Sequence, residues 1–164
     1  MKGKAIILIL FFVATYPLSV IATQTDNNLL IAVENIDLLE KHFTDLEARF
    51  DQGEVTEYDM LNAYKTFYLR DDTLKPVFDN WVSKYPDSST SYLARGVYFR
   101  KLGEFRRGTS YISQVPGENI NYMKKMHHLA KRDLYKALEI KPDSYITLLH
   151  PVSYTHLTLP TTRL

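Results

Sequence analysis

The chain has 164 residues, 45% of them apolar and 24% charged, with a formal net charge of +1 and no cysteine. That length suits one domain rather than two, and the lack of cysteine excludes a disulfide framework and a lipid-modified cysteine behind a leader. Any fold must therefore hold by its core alone, and the near balance of charge disfavours nucleic acid as a partner.

Residues 1–22 have the three-part form of a secretory signal. Lys2 and Lys4 precede the apolar run AIILILFFVA, and Pro17 and then Val20-Ile21-Ala22 follow it, so cleavage is expected after Ala22. Retention as an amino-terminal anchor is the rival reading, because Ala5 to Ala22 nearly spans a bilayer; Thr15, Tyr16, Pro17 and Ser19 dilute it. The expected location is periplasmic or extracellular, with membrane attachment only if the signal stays uncleaved. Residues 23–34 are polar at first and are expected to form a flexible lead. From Thr23 to Thr90 there are 6 basic and 14 acidic residues, and from Ser91 to His150 there are 11 basic and 5 acidic. The chain is thus a charge dipole, acidic first and basic second.

Ile36, Leu39, Phe43, Leu46 and Phe50 recur at helical spacing and Gly53 closes the pattern, which predicts a helix from about Asn35 to Gln52. Thr56 and Asp59 form a capping box for a second helix, with Leu61, Tyr64, Phe67 and Tyr68 as its expected buried face. Asp71 or Asp72 caps a third, in which Pro76 falls in the first turn. Leu74, Phe78 and Trp81 form its stripe and Pro86 lies beyond its end. Ser88 or Ser89 caps the fourth, where Tyr92, Gly96, Phe99 and Gly103 make a stripe with Gly103 as the expected stop. Glu104 to Gly117 reads as irregular, with Phe105, Tyr111, Ile112 and Val115 needing burial. A fifth helix is predicted over about Glu118 to Ile140, and Asp143-Ser144 would cap a sixth. No useful strand alternation occurs, so the expected class is all-α, built of antiparallel helical hairpins.

A repeat is also legible. Leu74, Phe78, Trp81 and Pro86 have a four-three-five spacing that recurs at Ala130, Leu134, Ala137 and Pro142, and Tyr92, Gly96, Phe99 and Gly103 are in phase with the first unit. This resembles a tetratricopeptide-like array with an insert at residues 104–126. FDNWVSKYPDSSTSYLARGVYFRKLGEFRRG, followed by VPGENINYMKKMHHLAKRDLYKALEIKP, is similar to bacterial proteins grouped as the domain-of-unknown-function family numbered 4034, most tellingly at Trp81, Pro86, Arg95-Gly96 and Arg107-Gly108. The resemblance implies a helical, repeat-like architecture without an assigned activity. Val152 to Thr161, VSYTHLTLPT, resembles the translation of a transposase adapter used in sequencing libraries. Residues 151–164 are accordingly expected to be non-native, and residues 35–150 to be a truncated helical domain.

Arg95, Arg100, Lys101, Arg106 and Arg107 crowd one stretch. Guanidinium forks hold carboxylates and phosphates bidentately, so Arg95, Arg100, Arg106 and Arg107 are the candidate anion-binding or partner-binding residues; the bland alternative is a solvated helix face paired with the acidic half. His127-His128 point about 100° apart on a helix and His42 stands alone, so no metal set is expected, and no cofactor. Asp71-Asp72 reads as a cap rather than an acid-base pair. The expectation is an exported helical module that binds or scaffolds a protein or peptide, with a minority of tyrosines lining its concave face. Alternatives are an enzyme domain whose site lies in the 104–126 insert or in the missing carboxyl-terminal part, and a binder of anionic envelope polymer through the arginines.

Overall fold

The computed structural model describes residues 35–150. The expected signal, lead and adapter-derived tail lie outside the described residues. Among these residues the fold is all-α, as expected: α1 (Ile36–Asp51), α2 (Glu57–Tyr64), α3 (Lys75–Lys84), α4 (Ser89–Arg107) and α5 (Gly117–Ile140), with a further helical stretch, α6, at residues 145–150.

Local chemistry sets the boundaries. Asn35 caps α1 by accepting from the Leu38 amide, and Gly53, at φ 77°, ends it. The Gly53 amide donates to the Phe50 carbonyl and the Glu54 amide to Arg49, both at 2.9 Å, which is the paired Schellman closure that a left-handed glycine permits. The Thr56–Asp59 capping box forms in both directions. Asp71 accepts from the Thr73 amide at 2.9 Å and caps a 3-10 turn, Asp72–Leu74, that leads into α3 with Pro76 in its first turn. Ser88 caps α4 and Ser144 receives the Thr147 amide at the start of α6.

The core is aromatic where α1 to α4 meet. Phe43 of α1, Phe67, Phe78 and Trp81 of α3, and Tyr98 of α4 are all buried. Their rings form a chain, 4.7 Å from Phe43 to Phe67, 5.9 Å on to Phe78 and 4.3 Å from Phe78 to Tyr98. Two heteroatoms buried with these rings find partners: the Trp81 indole N–H donates to Glu40 at 2.7 Å, and the Tyr64 hydroxyl to Glu47 at 2.6 Å. Glu47 lies on the buried side of α1, where it also accepts from Thr90 and faces Lys141. Met60 joins the core fully, whereas Leu61 and Tyr68, expected there, are half-buried.

The second half is a long hairpin in which α5 packs chiefly along α4. Gly96 and Gly103 make this possible. A Cβ on Gly96 would lie 2.9 Å from Leu134 Cγ and 3.3 Å from the Ala130 carbonyl oxygen, and one on Gly103 would lie 3.0 Å from His127 and 3.2 Å from the Met123 carbonyl oxygen. Gly103 is therefore a packing point within α4 and not its stop. The helix runs on to Arg107 and ends at Gly108, whose φ is 72° and whose amide donates back to Glu104 and Phe105.

This corrects the reading of residues 104–117. Residues 104–107 are helical, residues 108–116 are a short link with one 3-10 turn, Ile112–Gln114, and Gly117 already opens α5. Phe105, Tyr111 and Ile112, expected to be buried, are 51%, 81% and 68% exposed.

Trp81 closes the space between α1, α3 and the 3-10 turn Lys65–Phe67, so Trp81→Ala is expected to lower stability by about 3–5 kcal/mol. Urea unfolding would measure this, and a loss under about 1 kcal/mol would place Trp81 outside the core.

Candidate functional site

The four candidate arginines lie on one helix and are not brought to one site. Arg95 turns inward and is buried. Its Nε and Nη2 donate to the two oxygens of Asp133 on α5 at 2.6 and 3.0 Å, and its Nη1 reaches Asp79 of α3 at 3.1 Å. Asp133 is 1% exposed and also accepts from Arg132. This guanidinium fork is fully engaged by the protein's own carboxylates, so Arg95 joins α3, α4 and α5 rather than presenting itself to a ligand.

Arg100 is also buried, 3.7 Å from Glu104, and its Nε has no hydrogen-bond partner. His150 of α6 is buried nearby; burial first, then Arg100 and Lys101, push its pKa down to about 3, so it is neutral at physiological pH. Arg106 lies over the Tyr122 ring at 5.5 Å. Of the four, Arg107 lines the cleft at the tip of the α4–α5 hairpin.

That cleft, of about 550 Å³, opens at the tip of the α4–α5 hairpin. Arg107 meets there Arg70, from the link between α2 and α3, together with Glu104, Phe105, Met123 and His127. Arg70 stacks on Phe105, its guanidinium carbon 4.5 Å from the ring centroid. Arg107 donates to the Gly108 carbonyl at 2.9 Å. Neither guanidinium has a carboxylate partner among the described residues. The Glu104 carboxylate, also in the lining, is held by Lys101 at 2.7 Å and lies 3.7 Å from Arg100. His127 is partly buried, which lowers its pKa against the opposing pull of Glu104.

Arg70, Met123 and His127 were not singled out together from the sequence. Arg70 is a lone cation before two aspartates, and its approach to Phe105 depends on how α2 and α3 pack on α4, which no local spacing reveals.

A larger cleft of about 660 Å³ lies between α1 and the corner joining α3 to α4, lined by Glu40, Glu47, Asp51, Asp87, Lys84 and Lys141 among others. Most of its charges already have partners within the protein. Lys141 reaches Asp51 at 2.7 Å and Glu47 at 3.4 Å, Lys84 reaches Asp37 at 2.6 Å, and Glu40 accepts from Trp81. These contacts also show where part of the charge dipole goes, since Lys141 of the basic half closes on α1 of the acidic half.

No family model, curated protein or solved structure matches the chain. What the protein does must therefore be argued from the geometry alone.

If Arg95 is structural, Asp133→Asn should lower stability by about 3–5 kcal/mol, because it leaves the buried guanidinium with only Asp79, at 3.1 Å, as counter-charge. Thermal and urea unfolding would check this; a loss within about 0.5 kcal/mol would mean that the arginine is free to serve a ligand.

Proposed function

We propose that the protein is an exported helical module that binds a protein partner through the tip of its α4–α5 hairpin, without catalytic activity of its own. The observation that carries this reading is the exposure of Phe105, Tyr111 and Ile112 within one short stretch. Large apolar side chains gathered at an edge, and rimmed by charge, mark interaction surfaces more than single exposed residues do. The rim here is cationic, formed by Arg70, Arg106 and Arg107, so the partner is one that offers carboxylates around an apolar anchor.

The repeat reading belongs to the same proposal. Tyr92, Gly96, Phe99 and Gly103 on α4 and Ala130, Leu134 and Ala137 on α5 stand as the two helices of a tetratricopeptide-like unit, and the contact of Gly96 with Leu134 supports the pairing. Membership of the family numbered 4034 is proposed on Trp81, Pro86, Arg95-Gly96 and Arg107-Gly108. Three of these have structural work consistent with a shared architecture: Trp81 in the aromatic core, Arg95 on Asp133, and Gly108 at the helix stop.

A photo-crosslinking side chain placed at Tyr111 in producing cells tests the docking surface, with Tyr58 of α2, 70% exposed, as the control position. The expected result is a discrete adduct at Tyr111 that is absent at Tyr58 and falls about tenfold with Ile112→Ser. Identical adducts at both positions, or none at Tyr111, would contradict the proposal.

A further inference from the structure

We infer that the cleft at the hairpin tip is a binding site for an organic anion, a carboxylate or phosphate head on an apolar stem. The inference shares Phe105, Arg70 and Arg107 with the tip reading, but it concerns a ligand small enough to enter the cleft and does not need Tyr111 or Ile112.

Two guanidinium groups from different parts of the fold, Arg70 and Arg107, line one cleft, and neither meets a carboxylate among the described residues. Arg106 also meets no carboxylate among the described residues but lies over the Tyr122 ring, whereas Arg95 is held by Asp133 and Asp79, Arg49 by Glu54, and Arg132 by Asp133. The Arg70 guanidinium carbon lies over the Phe105 ring, 4.5 Å from its centroid. That contact uses none of its N–H donors, which are the groups that pair with a carboxylate or phosphate. Arg107 uses Nη1 on the Gly108 carbonyl, which anchors the group and leaves its other donors open.

The one acidic residue of the lining does not cancel this charge. Glu104 is engaged by Lys101 and Arg100 on its own helix, so the local balance stays positive. The remaining walls are Phe105 and Met123, with the His127 ring beside them. They offer an aromatic edge and a polarizable thioether to an apolar stem. At about 550 Å³ the cleft is of the size that takes small molecules or a chain end. Cationic donors beside apolar walls thus suit an amphiphilic anion better than a bare cation or a neutral sugar. The source of such a group is either a free small molecule or the terminal carboxylate of a peptide ending in an aromatic residue.

The test is a titration of the protein, followed by backbone and Arg Nε NMR shifts, with phenyl phosphate, phenylacetate, inorganic phosphate, and a short peptide ending in phenylalanine as free acid or amide. The expected result is saturable shifts at Arg70, Phe105, Arg107 and Met123 with phenyl phosphate or phenylacetate, and binding weakened by added salt. Inorganic phosphate should bind more weakly because it lacks the stem. Arg107→Gln should weaken binding about tenfold, and Arg107→Lys should recover only part of it because it restores the charge without the fork. Lys41→Gln on α1 removes one exposed positive charge away from the cleft and should change nothing; circular dichroism confirms that each variant is folded. Binding of the peptide acid but not its amide assigns the site to chain ends, and binding of the small acids without the peptide assigns it to free ligands. No saturable shift with any of these probes, or equal affinity in Arg107→Gln and Lys41→Gln, would overturn the inference. Tyr111→Ser with Ile112→Ser should leave the titration unchanged, so the cleft and the docking surface can fail separately.

Discussion

The close approach of α4 and α5 is the constraint on which the rest of the structure depends. Gly96 and Gly103 lie two turns apart on α4, and at each the space of a missing Cβ is filled by α5: Leu134 and the Ala130 carbonyl at one, His127 and the Met123 carbonyl at the other. Glycine inside a helix costs roughly 0.5–1 kcal/mol relative to alanine, and here that cost is offset by the contact it allows. The same approach brings Asp133 onto Arg95 in two-pronged geometry, at 2.6 and 3.0 Å. A buried ion pair of this kind is weak evidence for net stability, because both charges must leave water. Its stronger effect is on register: a bidentate fork that also reaches Asp79 tolerates little sliding of α5 along α4 or of α3 across both.

On this hairpin the first half of the chain is mounted by aromatic packing. Tyr98 presents the outer end of the ring chain, stacks on Phe78 and donates its hydroxyl to the Asp71 carbonyl at 2.8 Å, thereby fixing the link before α3. Glu47 and Lys141 then tie α1 to the end of α5. The link between α2 and α3 reaches along the hairpin toward its tip, where Tyr68 meets Lys101, Asp72 meets Tyr122 and Arg70 meets Phe105, while Tyr111 and Ile112 stay exposed.

Much of the scaffold was legible because its determinants are local. The Thr56–Asp59 box, the Gly53 closure, Asp71 and Ser88 as caps, and the stripe through Phe78 and Trp81 each depend on residues a turn apart. Gly103 was misread as a stop because a glycine that ends a helix and one that admits a neighbouring helix look alike in one dimension; only the Cβ contact with His127 and Met123 separates them. The arginines failed for a related reason. Density along the chain suggested one surface, but a helix sends Arg95 toward Asp133, Arg100 under Glu104 and Arg107 into a cleft whose second cation, Arg70, is remote in sequence. Burial of a charge is decided by its partner, and partners across helices leave no spacing to read.

If the glycine seam sets how α4 and α5 meet, a double-mutant cycle on Gly96 and Leu134 will show coupling between them. Gly96→Ala alone should cost about 1–3 kcal/mol through overpacking, despite the better helix propensity of alanine. Leu134→Ala removes the side chain that the new methyl would strike, so the double variant should be more stable than the sum of the two losses by at least about 0.5 kcal/mol. Strict additivity, or a Gly96→Ala protein more stable than the parent, would contradict the account.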